Sequence, residues 1–178
     1  MKITPLDIPD LYCIELELRE DERGYFARSF CQQELAAVGI EFTIRQMNRS
    51  LTRAKGTIRG MHFQQAPKAE AKMVTALRGR VFDVAVDVRP SSPTYGKWVG
   101  LELSADNKKI FYIPEGFAHG FQTLEPDTEL QYLMSEFYSP EHARGVLYND
   151  PLLNIAWPLP DPFLVEKDLQ WPLIDSSR

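Results

Sequence analysis

The run Val81-Phe82-Asp83-Val84-Ala85-Val86-Asp87-Val88-Arg89 constrains this chain more than any other stretch. Side chains of a strand point alternately to its two faces. The strict alternation therefore puts Phe82, Val84, Val86 and Val88 on one face, and Val81, Asp83, Ala85 and Asp87 on the other. Two carboxylates on a wall that should be buried require partners, because an unpaired buried charge is costly.

Strand signals dominate the surroundings of this run. Residues 11–19 alternate as a strand, and Asp21-Glu22-Arg23-Gly24 reads as a turn in which glycine takes a positive φ. Ser29 with Gln32 three residues later fits a capping box, so a short helix is predicted over residues 32–38, stopped by Gly39 and lying outside a β domain. From Phe42 onward strand follows strand. Residues 72–77 lead into Arg78-Gly79-Arg80, a hairpin signal, and then into the alternating run. After a loop over residues 90–96, strands are predicted over 97–103, 110–113 and 128–138, and a proline-rich tail begins at Pro151. Short strands punctuated by glycine and proline predict an all-β domain spanning residues 1–178. The expected form is a double-sheet jelly roll with a few short peripheral helices.

Composition narrows the functional classes. A formal net charge of -5 argues against non-specific nucleic-acid binding. It leaves room for an anionic small ligand held by a local cluster of arginine and lysine. No apolar run approaches membrane-spanning length and the N-terminus has no apolar h-region, so a cytoplasmic protein with no membrane partner is expected. Cys13 and Cys31 sit in no paired-ligand or redox spacing and read as free thiols.

The densest chemistry lies in Ile58-Arg59-Gly60-Met61-His62-Phe63-Gln64, followed by Lys72. His62 is one of 3 histidines, and a neutral imidazole is the side chain best suited to accept a proton near neutral pH. A second constellation, Pro114-Glu115-Gly116-Phe117-Ala118-His119, resembles the second half-motif of the cupins, in which such a turn presents a histidine into the barrel. Many cupins use that histidine for a metal, together with a His-x-His that this chain lacks. His62, His119 and a carboxylate could still make three ligands; no metal is expected here. The third histidine, His142, follows Pro140-Glu141 and reads as a surface residue.

A specific resemblance covers nearly the whole chain. It is carried in order by Asp21-x-Arg23-Gly24-x-Phe26, Gln46-x-Asn48-x-Ser50, Arg59-Gly60-x-His62-x-Gln64, Lys72-x-Val74, Asp83-Val84-x-Val86-Asp87-x-Arg89, Pro114-x-Gly116-x-Ala118-His119-Gly120-Phe121, Tyr132, Asn149-Asp150-Pro151 and Trp157-Pro158. Together these resemble the dTDP-4-dehydrorhamnose 3,5-epimerase family. The resemblance implies a homodimeric, metal-free and cofactor-free cupin barrel acting on a nucleotide-activated 4-keto-6-deoxyhexose. It implies that His62 is the base at C3 or C5, that Asp168 orients it, and that Tyr132 is the acid on the opposite face. Lys72 and Arg59 would line the pocket, and Asp83 would hold His119; Asp87, read from its strand face alone, caps a surface network. Arg23 and Arg59 would contact the diphosphate, since guanidinium forks match phosphate oxygens. Gln46, Asn48 and His119 would be further substrate contacts. Phe26 would pack against the base or sugar, or else lie in the core; for Tyr132 the competing reading is a core tyrosine with a satisfied hydroxyl.

These roles fit the chemistry. A C–H beside a ketone becomes acidic when the enolate forming at O4 is stabilised, which an ammonium group in a water-poor barrel does. Inversion through a planar enolate needs a base on one face and an acid on the other. A carboxylate on the far nitrogen of His62 would fix its tautomer. The sequence also departs from the family pattern. Arg28 replaces a glutamate associated with the nucleotide end of the site, Val165 a serine, and Glu70 a glutamine. The alternatives are a single-centre epimerase on a related dTDP or CDP sugar, and a sugar-nucleotide-binding cupin without turnover.

Overall fold

Three apolar layers explain why both faces of the alternating run are hydrophobic. The computed structural model describes residues 1–175. The strands are β1 (Lys2–Pro5), β2 (Tyr12–Glu15), β3 (Arg19–Asp21), β4 (Gly24–Phe26), β5 (Gln46–Thr52), β6 (Ile58–Gln64), β7 (Lys72–Arg78), β8 (Arg80–Asp87), β9 (Trp98–Ser104), β10 (Ile110–Ile113), β11 (Phe117–Thr123), β12 (Thr128–Met134) and β13 (Ala143–Gly145). Two short helices, α1 (Gln32–Ala36) and α2 (Glu166–Leu169), and a 3-10 turn at Pro140–His142 complete the set. Two sheets are ordered β1-β2-β10-β7-β12-β5 and β13-β6-β11-β8-β9, with β3 and β4 forming a separate hairpin. This is the expected jelly-roll class, with antiparallel pairing throughout both sheets.

Between the sheets lies a core of Val74, Ala76, Phe111, Ile113 and Leu130 from one side and Val81, Ala85, Leu103, Phe117 and Phe121 from the other. The Phe82, Val84 and Val86 face points the opposite way, under Val146, Leu153, Ile155, Trp157 and Ile174. The six-stranded sheet is likewise backed on its outer side by Leu35 of α1, Ile40 and Phe42 against Met73, Ile110 and Leu133. The proline-rich tail is thus a covering layer, and it also carries α2.

Several local expectations need correction. Arg78-Gly79-Arg80 is not a hairpin: β7 and β8 belong to different sheets. Gly79, at φ +70° and pressed against Thr128, turns the chain across the sandwich, where a Cβ would lie 2.4 Å from the Thr128 hydroxyl. The capping box does not form either. Cys31 is the N-cap of α1 and no side chain caps it, while Gln32 reaches away to the Phe42 carbonyl at 3.5 Å. Burial of Leu35 holds this helix. The strand expected over residues 11–19 breaks after Glu15 and resumes at Arg19, and the one expected over 128–138 ends at Met134. Asp87 is fully buried and does more than cap a surface network. It accepts hydrogen bonds from the Arg89 backbone and guanidinium and from the Ser92 and Thr94 hydroxyls, tying down the loop after β8.

Candidate active site

Strand register decides which side chains meet. In the six-stranded sheet Tyr132 lies opposite Val74 on β7 and Asn48 on β5, and Leu130 lies opposite Ala76 and Ser50. Partners opposite each other share a face, as do residues two apart. Lys72, Tyr132, Asn48 and Ser50 therefore project together into the sandwich. In the other sheet His119 is paired with both His62 and Ala85, and Phe121 with Asp83, so His62, His119 and Asp83 face them. Between the two walls is a cavity of about 490 Å³, lined by Asn48, Ser50, Arg59, His62, Glu70, Lys72, His119 and Tyr132, with Tyr138, Phe163, Lys167 and Asp168 at its edges.

Gly60 makes the close approach of β6 and β11 possible. At φ +141° it carries no side chain where a Cβ would stand 2.5 Å from the Gly120 Cα. His62 Nε2 lies 2.7 Å from Asp168 Oδ1. Asp168 cannot donate while ionised, so the ring nitrogen carries the proton and Nδ1 keeps its lone pair. Burial alone would raise the Asp168 carboxyl, but the His62 ring and the Gly60 N–H outweigh it and hold the group below the usual carboxylate range. The carboxylate itself is buried, whereas the His62 side chain stays 42% exposed and lines the cavity. The Trp171 indole stands edge-on to this imidazole, ring centroids 5.8 Å apart.

Tyr132 comes from the facing sheet. Its hydroxyl lies 3.0 Å from the Ser50 hydroxyl. Burial pushes its pKa well up, Asp83 adds to this, and Ser50 and Arg59 only partly offset it, so the group is a phenol through neutral pH. It sits half-buried at the end of the inner core and also lines the cavity. His119 Nε2 is 2.8 Å from Asp83 Oδ1. Burial drives the Asp83 carboxyl up, and the nearby His119 and Lys72 reduce that rise without cancelling it. Lys72 is buried, its ammonium 3.1 Å from the Glu70 carboxylate and donating to the His62 carbonyl at 3.2 Å. Arg59 lines the cavity and donates to the Leu51 carbonyl at 3.2 Å.

Not all the expected contacts gather here. Gln46 stands just outside the cavity, donating to Asn48 Oδ1 at 3.0 Å and accepting from the Tyr138 N–H at 3.2 Å. Arg23 and Phe26 are on the β3–β4 hairpin, away from the cavity of their own chain. Arg23 is paired with Asp21, and Phe26 is 70% exposed, which also rules out the core reading. Arg28 is likewise distant, paired with Glu34 beside the amino group of Met1. His142 is half-buried, its Nδ1 on the Ser139 hydroxyl at 2.7 Å. No group of three His, Cys, Asp or Glu side chains among the described residues is placed to hold a metal. Sequence reasoning did not assign Ser50 or Glu70. Ser50 is legible only as the third member of the Gln46-x-Asn48-x-Ser50 alternation.

The fold and this cavity define a jelly-roll protein with an acid–base pocket: an imidazole on one sheet, paired with a carboxylate of α2, faces a phenol and an ammonium on the other. Comparison with known proteins gives the family. The sequence pattern of dTDP-4-dehydrorhamnose 3,5-epimerase matches residues 5–176. A dTDP-4-dehydrorhamnose 3,5-epimerase of Shigella flexneri is 46% identical over 170 residues, covering 95% of this chain and 93% of its own. The crystal structure of the Bacillus anthracis enzyme of that name, with TDP and PPi bound, superposes with a TM-score of 0.93 at 42% identity, covering 97% of this chain and 98% of its own. A Legionella pneumophila epimerase in complex with dTDP-4-keto-L-rhamnose gives a TM-score of 0.91 at 41% identity, covering 97% of this chain and 92% of its own. The chain belongs to the dTDP-4-dehydrorhamnose 3,5-epimerase family and is an isomerase.

Proposed function

We propose that the enzyme inverts C3 and C5 of dTDP-4-dehydro-6-deoxy-D-glucose, giving dTDP-4-dehydro-L-rhamnose, by proton transfer through enolates of the C4 ketone. The observation that carries this reading is the His62–Asp168 pair on one wall with Tyr132 on the opposing wall. In this reading His62 Nδ1 takes the proton while Asp168 stabilises the imidazolium. Charge develops on O4, next to the Lys72 ammonium. The Tyr132 phenol, protonated and hydrogen-bonded to Ser50, then delivers a proton to the other face. Asp83 fixes the orientation of His119, which together with Asn48 contacts the sugar; Arg59 takes the diphosphate, and Gln46 acts by holding Asn48 and Tyr138. No step calls for a metal or cofactor.

Arg23 and Phe26 would then reach substrate from a second copy of the chain. The expected homodimer and their expected contact with the nucleotide are therefore one reading. A cytoplasmic location suits a nucleotide-sugar enzyme with no helix long and apolar enough to cross a membrane among the described residues. The test is incubation with dTDP-4-keto-6-deoxyglucose in deuterated solvent, followed by NMR. Deuterium at both C3 and C5 supports double epimerisation. Deuterium at one centre indicates a single-centre epimerase, and binding without exchange a non-catalytic cupin.

A further inference from the structure

We infer that Glu70 is a positioning residue: it aims the Lys72 ammonium at the substrate carbonyl, and so serves both proton abstractions. The inference rests on the reading of Lys72 given above. Glu70 and Lys72 are both turned into the sandwich, with side chains only 8% and 7% exposed, and both line the cavity. An ammonium has three N–H donors. One lies towards Glu70 at 3.1 Å and one is spent on the His62 main-chain carbonyl at 3.2 Å, which leaves one for a ligand. The second anchor matters because it belongs to the residue whose imidazole is the base, so Lys72 is held in register with His62. Without Glu70 the four-carbon stem of Lys72 has one fixed point and can swing. Asp83 on the facing sheet is the other carboxylate that attracts it; Asp168 is engaged by His62.

The chemistry then makes a sharp demand. C3 and C5 both flank the C4 ketone, so removing a proton from either places the charge on the same oxygen. A group that acts through that oxygen therefore bears on both centres. A displaced His62 would slow both exchanges as well, so what marks a role through Lys72 is that removing Glu70 costs nothing further once Lys72 is gone. The ground-state carbonyl is a weak acceptor and the enolate a strong one, so the loss should fall on kcat rather than KM.

The test measures deuterium wash-in at C3 and C5 with the full-length enzyme. E70A should slow both exchanges, by about tenfold to a hundredfold as expected for a misdirected group, with KM changed less than about twofold. E70Q keeps an acceptor oxygen in the same place and should recover most of the loss. Because E70A leaves a buried ammonium without its carboxylate, E70A/K72A is the control for misfolding; it should exchange no more slowly than K72A alone. Wild-type exchange in E70A, a slowing confined to one centre, or a further loss in the double variant beyond K72A would each overturn the proposal. Wild-type exchange in K72A would instead overturn the reading of Lys72 on which it rests.

Discussion

In the proposed mechanism His62 and Tyr132 act at different moments, and single substitutions should separate them. In Tyr132→Phe the base is intact, so deuterium wash-in should persist while the yield of correctly inverted product, measured by NMR, falls by about a hundredfold or more, the usual contribution of a positioned acid. Asp168 offers a pH test. Its carboxyl is held below the ordinary range in the folded state, so its contribution to stability is present above the unfolded value of about 4 and fades as pH falls through the lower folded one. Urea denaturation of wild type and Asp168→Asn should therefore differ at pH 7 and converge towards pH 3. The sequence identified His62, Tyr132, Lys72 and Asp168 as candidates through family motifs. Their pairing was not readable from spacing, because Asp168 is 106 residues from His62 and approaches only when the tail folds back over β6. The pairing of Tyr132 with Ser50 depends on sheet register, which one strand alone does not reveal.

Periodicity works within elements and fails where they join. The alternation of β8 held along its whole length, because each face meets its own apolar layer. Arg78-Gly79-Arg80 misled because the same glycine serves a hairpin and a corner, and only the partner strands distinguish them. Two substitutions separate an element that positions the site from one that only stabilises the fold. Gly60→Ala forces a methyl into the β6–β11 contact at a positive φ; it should cost about 3 kcal/mol in chemical denaturation and lower wash-in at both centres. Asp87→Ala removes the acceptor shared by Arg89, Ser92 and Thr94. It should cost about 3 kcal/mol while leaving wash-in near the wild-type rate below the melting transition, since the loop it anchors lies outside the cavity.

For the whole molecule, the jelly-roll class was legible in the sequence because short alternating strands with glycine and proline between them have few other solutions. The role of the chain after Pro151 was not. It read as a proline-rich tail, yet it covers the outer face of the five-stranded sheet and supplies Asp168. The exposed Tyr25 and Phe26 on the β3–β4 hairpin bear on assembly. The proposed homodimer predicts a molecular mass of twice the 20.4 kDa chain in light scattering. It also predicts that Phe26→Ala raises KM with little change in kcat, as expected for loss of a uniform binding contact. The most direct measurement is solvent deuterium wash-in by the His62→Ala variant on dTDP-4-keto-6-deoxyglucose. If His62 is the base, exchange at C3 and at C5 disappears while the variant stays folded and still binds dTDP; exchange at the wild-type rate would contradict it.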